Sequence, residues 1–258
     1  MINIKSPHEI EIMREGGQIL ASLLDEFIVD KLEIGKSAFF INELCENYII
    51  SKGAIPILKG YRVKNLVFPY AICFSSNQEV VHGFPTKNKI IKEGDIITID
   101  VCIKWKGYFL DAARTYAIGK MEERTSKLLN ITEASLQLAI SKCIIGNRIG
   151  DLSASIQTTI EKNGFSVVRD FCGHGIGRSL HEEPQVLNFG SSGLGPKIEE
   201  GMVLAVEPIV NMGSSEVIVL EDGWTVKTLD NSLSCHFEDT IAITSRGPES
   251  LTRIKKEA

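Results

Sequence analysis

Apolar residues near the start of the chain recur at steps of three and four, the spacing of a helix that buries one face. Ser6-Pro7-His8-Glu9 supplies an N-cap, a proline at the first helical position and a glutamate at the third, which together make a capping box. Ile10, Met13, Gly17, Leu20, Leu24 and Phe27 form the stripe that follows. Ser37 caps a second expected helix, running through Phe40, Leu44 and Tyr48 to the breaker Gly53. The pattern then turns β-like. Asp95 to Val101 is rich in Ile and Thr, and Lys104-Trp105-Lys106-Gly107 supplies a turn before a partner strand from Tyr108 to Ala117. A second helical pair is expected from Glu122 to about Cys143 and from about Asp151 to Lys162, closed by Asn163-Gly164. Strand-like segments come last: Phe165 to Val168, Met202 to Ile209, Glu216 to Leu220 and Ser234 to Thr244. This order of two helices and then strands occurs twice, without a strong sequence repeat. It predicts one α+β domain over residues 1–258, with helices packed on a mainly antiparallel sheet.

Composition narrows the function classes. With 43% apolar residues in 258, the chain is long enough to bury a substantial core. A net charge of -5, with no basic run beyond Arg253-Ile254-Lys255-Lys256, argues against nucleic acid as a substrate. No stretch approaches the roughly 18 apolar residues of a membrane span. The N-terminus also lacks the apolar core of a secretory signal. Six cysteines are scattered with no CxxC pair, which fits reduced thiols in the cytoplasm better than a disulfide framework or a structural zinc site.

The carboxylates carry the chemistry. Asp100 lies in Ile97-Thr98-Ile99-Asp100-Val101, an apolar strand where an unpaired charge is costly. Asp111 lies on the partner strand. If the turn centres between Trp105 and Lys106, the two face each other with Cβ atoms about 4.5–5.5 Å apart. Two like charges that close need a proton or a cation between them. The plainer alternative is a single buried aspartate, protonated or paired with Arg114. Glu207 in Val203-Leu204-Ala205-Val206-Glu207-Pro208 and Glu238 in Cys235-His236-Phe237-Glu238-Asp239 are again acids in apolar strands. By the period of two, Glu238 shares a face with His236 and Thr240. His174 stands between glycines, where backbone can approach a ligand closely, and His181 follows seven residues on. Four carboxylates and one imidazole suit divalent Mn, Fe or Co better than a thiolate zinc site. Bridging carboxylates can hold two such ions about 3.5–4 Å apart, with a hydroxide between them as nucleophile.

At this point a resemblance becomes specific. His82 in Glu79-Val80-Val81-His82-Gly83-Phe84-Pro85, the Asp100/Asp111 pair, CGHGIGRSLHEEP at 172–184, Val206-Glu207-Pro208 and Phe237-Glu238-Asp239-Thr240 come in the order and spacing of the methionine aminopeptidases. From about Ser6 to about Thr252 the chain resembles their type I, short bacterial-like form. The 30 residues between Glu207 and Glu238 leave no room for the insertion of type II enzymes.

The resemblance implies a pita-bread fold, in which two similar halves, each with a helix pair, enclose a two-metal site. Asp100 would chelate one ion, His174 and Glu207 the other, and Asp111 and Glu238 would bridge. His82 would contact the substrate near its amide nitrogen, His181 would polarise the scissile carbonyl, and Glu207 would handle protons. Cys73, Leu180 and Trp224, with Tyr61 and Phe68, would form the methionine pocket, where aromatic and thiol walls suit a thioether. The implied substrates are the N-termini of nascent polypeptides at the ribosome, those with a small second residue, and the implied state is a monomer. In two places the chain departs from the family. It reads GYRVKNLVFPYAIC from Gly60 where relatives are shorter, and it has Leu180 where many carry phenylalanine. Two other readings stand beside this one. The first is an X-Pro dipeptidase of the same fold, whose relatives generally carry an extra N-terminal domain. The second is a non-catalytic, ribosome- or RNA-associated binding protein, which would typically have lost metal ligands.

Overall fold

Ser6 opens the fold as its motif predicts. Its Oγ accepts the Glu9 amide at 3.3 Å and Glu9 Oε2 accepts the Ser6 amide at 2.8 Å, so helix α1 (Pro7–Ser22) begins at the proline. This computed structural model describes residues 2–254. Met1 and residues 255–258, including Lys255 and Lys256 of the basic cluster and the two ends of the 1–258 reading, lie outside the described residues. After Ser22 the helix widens into a π turn, Leu23–Phe27, that buries Leu23 and Leu24. A Cβ on Gly17 would stand 2.2 Å from the Leu251 carbonyl oxygen, so its absence lets α1 lie directly on the last described segment.

Helix α2 (Ala38–Ser51) is capped as expected, with Ser37 Oγ accepting the Phe40 amide at 3.2 Å. Its buried stripe differs from the predicted one. Ile41, Cys45 and Ile49 face the core, while Phe40 is exposed and Leu44 and Tyr48 only pack at the margin. The stripe that wins spans Ala38, Ile41, Cys45 and Ile49, one residue further round the helix. Helices α3 (Glu123–Lys142) and α4 (Ile149–Lys162) form the second pair. The latter starts before Asp151, because Asp151 Oδ2 accepts the Arg148 amide at 2.8 Å as a third-position cap.

Every strand pairing is antiparallel. In the first half the long hairpin Ile96–Trp105 and Tyr108–Ala117 is flanked by Cys73–Ser76 and Ile55–Pro56. In the second half Glu182–Val186, Gly173–Gly175, Val203–Val206, Asp239–Thr244 and Gly247–Ser250 lie side by side in that order. Among the described residues a single antiparallel bridge, Ala113 to Glu238, joins the two sheets. One core gathers α1, α2 and the hairpin; a second gathers α3, α4 and the strands of the second half. The fold is thus α+β, the pita-bread arrangement, and each half builds its own apolar core.

Two strands expected to be continuous are broken, and the breaks coincide. Met202 to Ile209 divides into Val203–Val206 and Ile209–Asn211, and Ser234 to Thr244 divides into Ser234–His236 and Asp239–Thr244. Val206 pairs with Asp239 and Ile209 with His236, so the gap at Glu207-Pro208 lies opposite the gap at Phe237-Glu238. Pro208 has no amide hydrogen to give the ladder. The result is one interruption in which two glutamates turn inward together.

Candidate metal centre

The hairpin register sets where the two aspartates meet. Lys106 and Gly107 both take positive φ, 46° and 95°, so they form the two-residue turn, and Trp105 pairs with Tyr108. The turn therefore centres one position later than the sequence suggested. Asp111 lies opposite Cys102 and Asp100 opposite Ala113. The carboxylates share a face but sit diagonally, further apart than a directly opposed pair. That wider spacing leaves room for a cation between them.

Around this pair the second half adds its own groups. Asp111, His174 and Glu238 are buried, and one ligand atom from each lies within 4.8 Å of the others; Asp100, Cys102 and Asp111 form a second such group. His174 Nε2 stands 3.9 Å from Glu207 Oε1. The His174 Nδ1 is 2.9 Å from the Gly175 carbonyl oxygen, so Nδ1 carries the proton and Nε2 presents its lone pair. The glycines around His174 serve a purpose other than ligand approach. A Cβ on Gly175 would lie 2.2 Å from the Glu183 oxygen, and one on Gly173 would lie 2.3 Å from the Ala205 oxygen, so both permit neighbouring strands to close on this one.

All the sequence-selected residues line one cavity of about 230 Å³. At its floor are Asp100, Asp111, His174, Glu207 and Glu238. Tyr61, Phe68, Cys73, Leu180 and Trp224 form an apolar wall, with the Phe68 and Trp224 rings edge to face at 5.3 Å. His82 packs edge-on against Phe171 at 5.5 Å and Trp224 at 6.3 Å. Its φ of 57° is a left-handed backbone that costs a residue with a Cβ roughly 1–2 kcal/mol. His181 stands at the mouth, its ring 4.5 Å from that of His174 and its Nδ1 3.3 Å from the Tyr61 hydroxyl. Sequence reasoning placed His236 on the face of Glu238 without assigning it to the site, and left out Cys102, Phe171, Cys172, Leu58, Val63 and Val81, which also line the space. The period of two from Asp100 points to Cys102, and the same step back from Glu238 points to His236.

Among the described residues the cavity has four carboxylates and no lysine or arginine. Arg114, the alternative partner for the aspartates, is fully engaged elsewhere. Its guanidinium binds Asp25 Oδ1 and Asp239 Oδ1, both at 2.9 Å, and the carbonyl oxygens of Ala113, Glu238 and Thr252. It grips the backbone of Glu238, not its carboxylate. Asp100 Oδ1 and Glu238 Oε1 are buried with no hydrogen-bond partner among the described residues, and the Cys102 thiol, 2.9 Å away, donates to Asp111 Oδ1. Burial pushes all four carboxyls above their ordinary values, and the neighbouring acids push Asp111, Glu207 and Glu238 further in the same direction. Burial also pushes His82 and His174 down to about 4 and His236 to about 3, so the imidazoles are neutral and add no positive charge. Orphaned carboxyl oxygens, an unprotonated imidazole nitrogen and a cluster of acids whose charge no neighbouring cation offsets are the donor set a divalent ion requires. The residues fit such ions, with mostly oxygen and some nitrogen as ligands.

Comparison with known proteins agrees with this chemistry. Residues 11–245 match the model of metallopeptidase family M24. The chain is 47% identical over 255 residues to a methionine aminopeptidase of Clostridium perfringens, covering 99% of this chain and 100% of that one. The crystal structure of a methionine aminopeptidase from Thermotoga maritima superposes with a TM-score of 0.95 at 44% identity, covering 98% of this chain and 100% of that one. The prolidase of Pyrococcus furiosus, at 21% identity and a TM-score of 0.77, shares the fold over 98% of this chain and 66% of its own.

Proposed function

The chain belongs to metallopeptidase family M24, and from that premise we propose that it is a metal-dependent aminopeptidase removing N-terminal methionine from polypeptides. Asp100, Asp111, His174, Glu207 and Glu238 hold two divalent ions, of Mn, Fe or Co. In this reading Asp100 would serve mainly one ion, His174 and Glu207 the other, and Asp111 and Glu238 would be shared between them. A bound pair supplies Lewis acidity, making water acidic enough to act as a nucleophile near neutral pH. The observation that carries the reading is the uncompensated cluster of four carboxylates around one unprotonated imidazole nitrogen, contributed by both halves of the fold. Because neither half completes the site alone, the chain works as one catalytic unit.

Side chains around the cluster do the rest. Glu207, facing the cavity, takes a proton from the attacking water and returns it to the departing amine. Neutral His82 offers a ring nitrogen to the substrate's amide, its orientation set by Phe171 and Trp224. His181, steadied by the Tyr61 hydroxyl, donates a hydrogen bond to the scissile carbonyl. The methionine side chain packs against Phe68, Trp224, Leu180, Cys73 and Tyr61, where aromatic edges suit a polarisable sulfur. The proposed substrates are those whose second residue is small. The proposed setting is the cytoplasm, at the ribosome. The six cysteines are free, five of them buried. No helix among the described residues is long and apolar enough to cross a membrane.

Metal-stripped protein reloaded with Mn, Fe or Co, given Met-Ala-Ser and Ala-Pro in parallel, tests the reading. Release of methionine only after reloading is expected, with Ala-Pro left intact. Hydrolysis of Ala-Pro in preference would mark an X-Pro dipeptidase, and no hydrolysis with any metal would mark a binding protein.

A further inference from the structure

His236 is 2% exposed, and neither of its ring nitrogens has a hydrogen-bond partner among the described residues. Burying a polar ring without partners costs stability, so a ring kept there serves some other end. Its surroundings say which. Nε2 lies 3.7 Å from Glu207 Oε2 and 3.8 Å from Glu238 Oε2, the facing oxygens of two carboxylates in the shared strand break.

The contrast with His174 assigns the proton. His174 gives its Nδ1 hydrogen to the Gly175 carbonyl and turns a bare Nε2 toward Glu207 Oε1. His236 has no acceptor at Nδ1, and the acceptors near the ring both lie at Nε2. Its proton therefore belongs on Nε2, which makes that nitrogen a donor and not a ligand. Glu207 is held between the two rings, one oxygen facing an imidazole lone pair and the other an imidazole N–H.

We propose that His236 is a positioning residue for the metal ligands. Its Nε2–H donates to Glu207 Oε2 and Glu238 Oε2 and fixes which lone pairs these carboxylates turn toward the ions. At 3.7–3.8 Å the contacts are longer than hydrogen bonds, and a small rotation of either carboxylate would bring it within hydrogen-bond range. Hydrogen bonds of this kind to ligating carboxylates are typically worth about 10–100-fold in metal affinity. The inference rests on the two-metal reading above.

The test is titration of metal-free protein with Mn2+, following free aqueous Mn by its electron paramagnetic resonance signal, in wild type, His236→Leu and His236→Gln. Wild type binds two ions; if it binds none, the two-metal reading fails and this inference falls with it. His236→Leu should weaken at least one ion by about 10–100-fold, while His236→Gln, which restores an N–H of similar reach, should stay within about threefold of wild type. The midpoint of metal-free thermal unfolding should hold or rise in His236→Leu, because an unpartnered polar ring is replaced by an apolar group. A purely structural role would lower that midpoint. Unchanged Mn affinity in His236→Leu overturns the proposal while leaving the two-metal reading intact. An equal loss in His236→Gln also overturns it, by marking the ring nitrogen as a ligand.

Discussion

Replacing Arg114 with methionine removes the clamp that joins the two halves at the metal centre. Arg114 is 4% exposed, and its guanidinium makes five contacts: Asp25 Oδ1 at 2.9 Å, Asp239 Oδ1 at 2.9 Å, and the carbonyls of Ala113, Glu238 and Thr252 at 3.0, 2.6 and 2.8 Å. Breaking a buried ion pair from one side typically costs about 3–5 kcal/mol, because the partner charge stays behind. Here Asp239 would keep Arg253 Nε at 2.6 Å and Thr252 Oγ1 at 3.0 Å. Ala113 O would keep the Glu238 amide, and Asp25 is partly open to solvent. The loss should therefore fall at the lower end, about 3 kcal/mol. For a chain of this size that corresponds to a fall of roughly 6–12 °C in the unfolding midpoint. Calorimetry on metal-free protein measures it without the contribution of bound ions. Arg114→Lys should recover only part of the loss, since an ammonium cannot reach two carboxylates and three carbonyls as a planar fork does. A fall smaller than about 1 kcal/mol in Arg114→Met, or full recovery by lysine, would refute the reasoning.

Metal removal should make stability fall with rising pH. The four buried carboxyls have folded values raised above those of the unfolded chain. Their contribution is fully present below the unfolded values, near pH 4, and is lost as pH rises through the folded ones. The depressed histidines slope the opposite way but have finished titrating by about pH 7.5, so the window to measure is roughly pH 7.5–9. Metal-free protein should lose midpoint temperature across it; Mn at a hundred times its Kd should abolish the slope and add about 2.7 kcal/mol for each ion bound. A flat or rising metal-free profile would count against the cluster as described. Gly175→Ala should destabilise by roughly 1–3 kcal/mol, because its Cβ would meet the Glu183 carbonyl at 2.2 Å. Because His174 is the adjacent residue, Mn affinity should fall with it, and chemical denaturation beside a Mn titration separates the two effects.

Much of this protein is legible before any coordinates. Local rules set the helix starts at Ser6 and Ser37, since a cap needs only a side chain and an amide three residues on. The candidate ligands also stand out locally, because a carboxylate in an apolar strand has no cheap explanation. Other features depended on through-space partners that a one-dimensional pattern does not contain. Which turn the hairpin takes decided whether Asp100 and Asp111 face each other or lie diagonally, and a shift of one position in the turn was enough to change it. Whether Arg114 neutralises those acids depended on Asp25 and Asp239, far off in the chain. The coincident strand breaks, and with them the position of His236 between Glu207 and Glu238, exist only once the two strands are paired. Residue chemistry and short spacings determined what kinds of groups the site uses. Long-range packing decided which groups meet, because distances between segments are set by register and by the closure of two cores, not by neighbours along the chain.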